Sequence, residues 1–242
     1  MRKKLIVAIT ALAVLAFAGI ALAKQVQTAD IKFTKSKAGG PTAIASTFKV
    51  FDKANTTPGQ VGKPTRQIKE VDINFPAGMK FNYKAAPVCT QVAGVAITAK
   101  CKKAHLATGS TKIDARGPQL PGFLKATLDA YNEKRAGQPS GLAIVLHSSS
   151  PLVNNQVLFP TLTGTKLKTV LPIGALKLIK GYLTDFHLVI PIKSGKVKGK
   201  KAYYATLPKK CPKGGKFIVK TKYFYDGGGS FTTPGTKNKC KK

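Results

Sequence analysis

Along most of the chain, apolar and polar residues alternate one by one in short runs broken by Gly, Pro, Asn and Asp. Val71, Ile73 and Phe75 alternate with Asp72 and Asn74, and Pro76-Ala77-Gly78 follows as a turn. Leu124, Ala126, Leu128 and Ala130 alternate with Lys125, Thr127 and Asp129. Phe186, Leu188, Ile190 and Ile192 alternate with His187, Val189 and Pro191. Phe217, Val219, Thr221, Tyr223 and Tyr225 alternate with Ile218, Lys220, Lys222 and Phe224. Period two marks a strand with one buried face. Turn residues recur roughly every 8–15 positions, as in an antiparallel sandwich. No long stretch carries clean helical periodicity. The pattern predicts an all-β fold: an antiparallel β-sandwich, Ig-like or jelly-roll-like, in one or two subdomains.

Three segments need a choice. Residues 123–135 read as a helix by propensity, with Leu124, Leu128, Tyr131 and Arg135 on one face. The strand reading is preferred, because Gly137-Gln138-Pro139-Ser140-Gly141 then turns a strand ending at Tyr131 back into Leu142–His147. Leu167–Leu183 is apolar and basic, as an amphipathic membrane-surface element would be. Pro172 and Gly174 interrupt it, and two short buried strands around a bend are expected instead. Lys193–Lys201 reads as a linker or as an exposed hairpin loop.

The first 23 residues change the compartment. Arg2, Lys3 and Lys4 precede an apolar run from Leu5 to about Ala21, and Ala21-Leu22-Ala23 fits a signal-peptidase site. The expectation is a cleaved signal peptide over residues 1–23, with an uncleaved anchor as the alternative. Residues 24–65 are expected to form N-terminal strands and an irregular Thr/Lys/Gly/Pro-rich segment, and residues 66–242 the β-sandwich domain. The cleaved chain would carry no integral membrane span and would be extracellular or envelope-associated. Four cysteines, Cys89, Cys101, Cys211 and Cys240, then read as disulfides, for which three pairings are possible. A four-cysteine zinc site is disfavoured, because the spacings are wrong and Lys100, Lys102, Lys103, Lys209 and Lys210 crowd the thiolates.

Charge is the strongest functional signal. The 242-residue chain has 41 Lys+Arg against 9 Asp+Glu, a formal net charge of +32. Removing residues 1–23 takes away three cations and leaves 219 residues at +29. Such a surface attracts polyanions by long-range steering and counterion release. Outside a cell these are anionic envelope polymers and acidic polysaccharides, with nucleic acid and anionic membrane as non-specific alternatives. The candidate contact residues are Lys209, Lys210, Lys213, Lys216, Lys220, Lys222, Lys237, Lys239, Lys241 and Lys242. Tyr203, Tyr204, Tyr223 and Tyr225 interleave with lysines and are candidates for stacking on bases or sugars. The basic residues are 37 Lys and only 4 Arg, which argues against a bidentate phosphate code.

Catalytic patterns are weak. No G-x-S-x-G occurs, and Ser46-Thr47-Phe48-Lys49 matches S-x-x-K only by letter, within an alternating strand. His147 and Ser148 are adjacent on a predicted strand and point to opposite faces. His105, His147 and His187 lack metal-ligand spacing. Asp226 opens the Asp226-Gly227-Gly228-Gly229 hairpin signal and reads as a turn former. No catalytic, cofactor or metal residue is assigned.

Two sets of motifs belong together. One is Phe75-Pro76-Ala77-Gly78-Met79-Lys80-Phe81-Asn82-Tyr83, Pro87-Val88-Cys89, Cys101 and Thr108-Gly109-Ser110. The other is Cys211-Pro212-Lys213-Gly214-Gly215-Lys216-Phe217, Tyr225-Asp226-Gly227 and Cys240. Over residues 66–240 the chain resembles a group of secreted, cysteine-paired β-sandwich proteins from actinobacteria and related high-GC Gram-positives. The resemblance implies the local pairing Cys89–Cys101 and Cys211–Cys240 and carries over no catalytic residues. Cys240 would then tie the last strand to Cys211. The expected function is non-enzymatic, electrostatic association with anionic envelope polymer. The rivals are a carbohydrate- or protein-binding module with an aromatic or loop face, and an exported hydrolase built on His187, Asp185 and a serine.

Overall fold

Alternation decides the architecture, because each run with apolar residues at every second position can bury only one face. The computed structural model describes residues 25–90, 92–93, 96–97, 99–117, 120, 122–134, 137, 140–148 and 155–242. The expected signal peptide lies outside them, as do Arg135, Gln138 and Pro139 at the expected turn. The strands are β1 (Gln25–Phe33), β2 (Ile44–Asp52), β3 (Ile68–Asn74), β4 (Lys80–Phe81), β5 (Val92–Ala93), β6 (Ala96–Ile97), β7 (His105–Asp114), β8 (Phe123–Glu133), β9 (Gly141–Ser148) and β10 (Asn155–Leu158). They continue with β11 (Thr161–Thr163), β12 (Lys166–Val170), β13 (Tyr182–Ile190), β14 (Ser194–Val197), β15 (Lys200–Tyr203), β16 (Ala205–Thr206), β17 (Lys216–Tyr225), β18 (Ser230–Thr232) and β19 (Thr236–Lys239). Two short helices, α1 (Ala99–Lys102) and α2 (Ile173–Leu178), and a 3-10 turn at Tyr83–Ala85 complete the described elements.

Thirteen strands share one sheet in the order β1-β2-β13-β7-β8-β9-β11-β12-β3-β17-β18, with β10 on β9 and β19 on β17. Every pairing is antiparallel. The sheet curls into a nearly closed, barrel-like sandwich. Inward positions on β3, β8, β13 and β17 are the apolar residues picked out by the alternation. They form one core with Ile31 and Phe33 of β1, Ile44 of β2, and Leu142 and Ile144 of β9.

The seam is closed by side chains. The outer edge of β1 faces β19, and β19 supplies hydroxyl and amide groups in place of backbone. Thr236 Oγ1 accepts from Ile31 N at 3.0 Å and donates to Ala29 O at 3.0 Å. Asn238 Oδ1 accepts from Phe33 N at 2.8 Å, and its Nδ2 donates to Ile31 O at 2.9 Å. A primary amide presents an acceptor oxygen and two N–H donors, enough to imitate a peptide unit.

The strand reading holds over Phe123–Glu133, as β8 pairs antiparallel with β9 with Leu128 opposite Leu146. Residues 193–201 are not a linker; they belong to the exposed β14–β15 hairpin. Leu167–Leu183 departs from the expectation of two strands around a bend. It holds most of β12, then the six-residue helix α2, then the start of β13, with Pro172 at the helix N-cap. Proline is tolerated there because the first turn has no intrahelical use for its N–H. The two disulfides are Cys89–Cys101 and Cys211–Cys240, at sequence separations of 12 and 29.

Gly109 on β7 lies tight against the backbone of β13. A β-carbon there would come within 2.1 Å of the His187 carbonyl oxygen, so the Thr108-Gly109-Ser110 motif needs glycine at its centre. At the β17–β18 tip, Gly227, Gly228 and Gly229 all have positive φ (81°, 98° and 79°), as the hairpin signal predicts.

Candidate functional site

The lysine candidates converge. On β17, Phe217, Val219, Thr221, Tyr223 and Tyr225 are buried, so Lys216, Ile218, Lys220 and Lys222 take the outward side. On β19, Asn238 is buried, and Lys237 and Lys239 lie on either side of it, exposed. The register sets Lys216 opposite Lys239 and Ile218 opposite Lys237. Lys209, Lys210 and Lys213 are exposed in the segment leading into β17, which the Cys211–Cys240 bond ties to the end of β19. Lys241 is bridged in parallel to Lys37, and Lys242 follows it. All ten lysines therefore belong to β17, β19 and the segments joined to them. From Lys209 to Lys242 the chain carries ten lysines and one acid, Asp226.

Acids nearby are already engaged. Asp72 and Glu70 on β3 pair with Lys166 at 2.7 Å and Lys168 at 2.8 Å, from β12. Asp226 pairs with Lys177 of α2 at 2.6 Å. The Lys177 hydrogen bond holds the Asp226 carboxyl below its ordinary range. Among the described residues none of the ten candidates forms an ion pair. Like charges directly opposite on adjacent strands are destabilising, by up to roughly 1 kcal/mol, so the Lys216–Lys239 pair is held by the fold rather than by itself. Lys37 was not visible as a member from sequence, because it joins the group through pairing with Lys241 at the far end of the chain.

The aromatic candidates require correction. Tyr204, Tyr223 and Tyr225 are buried, at 4%, 1% and 4% exposure, and only Tyr203 is partly open. The reason is parity: Tyr223 and Tyr225 share the inward side of β17 with Phe217. Desolvation raises the Tyr204 and Tyr223 phenols far above the ordinary range. Tyr223 donates from its hydroxyl to Thr28 O at 3.0 Å, across to β1. These three rings are core, and they offer no stacking face.

The histidines come together elsewhere on the outer surface. The register runs Thr47–His187–Ser110–Thr127–His147 across β2, β13, β7, β8 and β9. His187 Nδ1 and Thr47 Oγ1 hydrogen-bond at 3.0 Å. Asp129 lies between His105 Nε2 at 2.8 Å and His147 Nε2 at 3.4 Å. Asp185, two residues before His187, sits opposite Lys49 and Lys112. No group of three His, Cys, Asp or Glu among the described residues has metal-binding geometry. Sequence spacing hid this row, because its members are neighbours only through strand pairing.

Inside the barrel is a feature that the sequence did not announce. A cavity of about 160 Å³ runs between the two walls, lined by inward residues of β2, β3, β7, β8, β9, β12 and β13 and by α2. Among the described residues no charged side chain lines it, and its polar groups are few: Ser46, Thr111, Ser148, Gln156, Thr169 and Thr184. Well-packed interiors hold few voids larger than a water molecule. At roughly 24 cal/mol per Å³, a void of this size costs on the order of 4 kcal/mol when nothing fills it.

The chain matches no known family, no curated protein and no solved structure.

Proposed function

We propose that this is an exported, non-enzymatic protein that associates electrostatically with an anionic polymer of the cell envelope or an acidic polysaccharide. The observation carrying the reading is the outward face of β17 and β19, where Lys216 opposes Lys239 and Lys237 and Lys220 adjoin them without a carboxylate partner. A polyanion laid along this face relieves the repulsion and releases its own counterions, so attraction rises steeply as salt falls. Lys209, Lys210, Lys213, Lys222, Lys241 and Lys242 extend the same field. Two disulfides fit maturation in an oxidising compartment. Among the described residues no helix is long and apolar enough to cross a membrane. The outward positions of β8 and β17 set Lys125, Thr127, Asp129, Lys216, Lys220 and Lys222 beside Phe123, Ile218 and Phe224, a mixture unlike the continuous apolar band of strands that face lipid.

The test is binding of the protein to an isolated Gram-positive envelope fraction across a salt series, before and after removal of anionic polymer. Binding should fall at least about tenfold between roughly 50 and 200 mM salt and disappear with the polymer. The triple variant Lys216→Gln, Lys237→Gln, Lys239→Gln should flatten the salt slope. Salt-insensitive binding, or an unchanged slope in the variant, would remove the basic face from the account.

A further inference from the structure

We propose that the barrel interior is a binding site for the hydrocarbon chain of a lipid-like molecule, with access at the end covered by α2. The lining is apolar and carries no charge among the described residues, so whatever part of a ligand lies inside must be uncharged. The cavity draws its lining from a long stretch of strand. Its walls run from Ile44 to Val50 along β2, a span of about 20 Å at ~3.3 Å per residue. About 160 Å³ spread over that length accommodates a chain better than a compact ring system.

The two ends of the barrel differ. At one end the core is plugged by rings, with Phe33 against Phe217 at 6.4 Å and Phe75 against Phe81 at 4.9 Å. At the other, Ala175 and Leu176 of α2 form part of the cavity wall. This helix is only six residues long. Lys177 ties it to Asp226 at the β17–β18 tip at 2.6 Å, through an ion pair with both side chains substantially exposed. Its exit passes through Lys180 at φ 47°, a left-handed conformation that a non-glycine residue adopts at a cost. The chain is anchored on either side of the helix, by Leu171 N donating to Lys69 O at 2.9 Å and Gln67 Nε2 donating to Gly181 O at 3.0 Å. The short cover between these anchors carries one exposed ion pair and is the segment best placed to open. A head group would remain at this end, outside the apolar lining.

The test uses the full disulfide-bonded protein and the uncharged fluorophore N-phenyl-1-naphthylamine. Saturable binding of one probe per chain is expected, with displacement by both dodecanol and dodecanoate. Dodecanol should also raise the melting temperature by several degrees, since it binds the folded state alone. Ala126→Phe puts a ring into the cavity from β8 and should weaken probe binding at least tenfold with an unchanged circular dichroism spectrum. Should that variant fail to fold, Ala175→Phe on α2 serves the same purpose. Preferential displacement by dodecanoate over dodecanol would assign an anionic head group, and equal displacement a chain recognised without its head. Non-saturable binding, unaltered binding in the folded cavity variants, or stabilisation by naphthalene and not by dodecanol overturns the proposal. Chain binding should be insensitive to salt, so its failure is distinguishable from failure of the polymer-binding reading.

Discussion

At Asn238 a side chain takes the hydrogen bonds that a neighbouring strand would otherwise make with β1. Replacing it with alanine orphans the Phe33 N–H and the Ile31 carbonyl inside the protein. Asn238→Ala is expected to cost about 2–3 kcal/mol, read as a lower midpoint in urea unfolding. Asn132 does related work elsewhere: it is fully buried and its Nδ2 donates to the carbonyls of Tyr83, Ala86 and Pro87 at 2.7, 3.1 and 3.0 Å. Both asparagines look like surface residues in the sequence, because their partners are distant backbone atoms. The buried tyrosines give a pH prediction. Tyr204 and Tyr223 have phenols raised by burial, so the unfolded chain ionises first as pH climbs. Their contribution to stability is complete below about pH 10 and is lost progressively above it. Absorbance at 295 nm should show these two residues ionising only together with loss of structure; independent titration near pH ~10 would contradict their burial.

Among the elements, β8 and β17 were legible in the sequence because half-buried strands keep strict period two over ten or more residues. The segment before β13 was not, since six residues of helix after a proline leave too short a stretch for a 3.6-residue period to register. Local alternation also says which residues face inward without saying what they face. The pairing of β3 with β17 and β12 is non-local, and so is the cavity that those inward faces enclose. On the basic face, Lys239→Glu turns a like-charge opposition with Lys216 into an attractive one. The variant should gain roughly 0.2–1 kcal/mol at low salt while losing affinity for anionic polymer, seen by comparing melting temperature with envelope binding. Breaking Cys211–Cys240 with paired serines should cost about 3–4 kcal/mol by releasing the unfolded chain. Reduced protein should therefore unfold at lower denaturant than oxidised protein.

The whole molecule combines a strongly cationic exterior with a cavity that, among the described residues, no charged side chain lines. Added salt should raise the melting temperature of the free protein, because screening relieves self-repulsion among its excess lysines; a fall with moderate salt would mean that ion pairs dominate instead. The seam between β1 and β19 has a further consequence, for the order of folding. Its side-chain bonds join residues 205 and 207 positions apart, almost the full distance between the ends of the described chain. Loop closure over so many residues makes such contacts slow to form. The hairpins β7–β8–β9 can pair while the chain is still emerging, but the ring itself cannot close until β19 has been delivered. We expect amide protection at Ile31 and Phe33 to appear after protection within β8 in pulsed hydrogen exchange. A chain cut short before Thr236 should then remain an open, sticky sheet, which makes the final strand the step that commits this protein to its finished form.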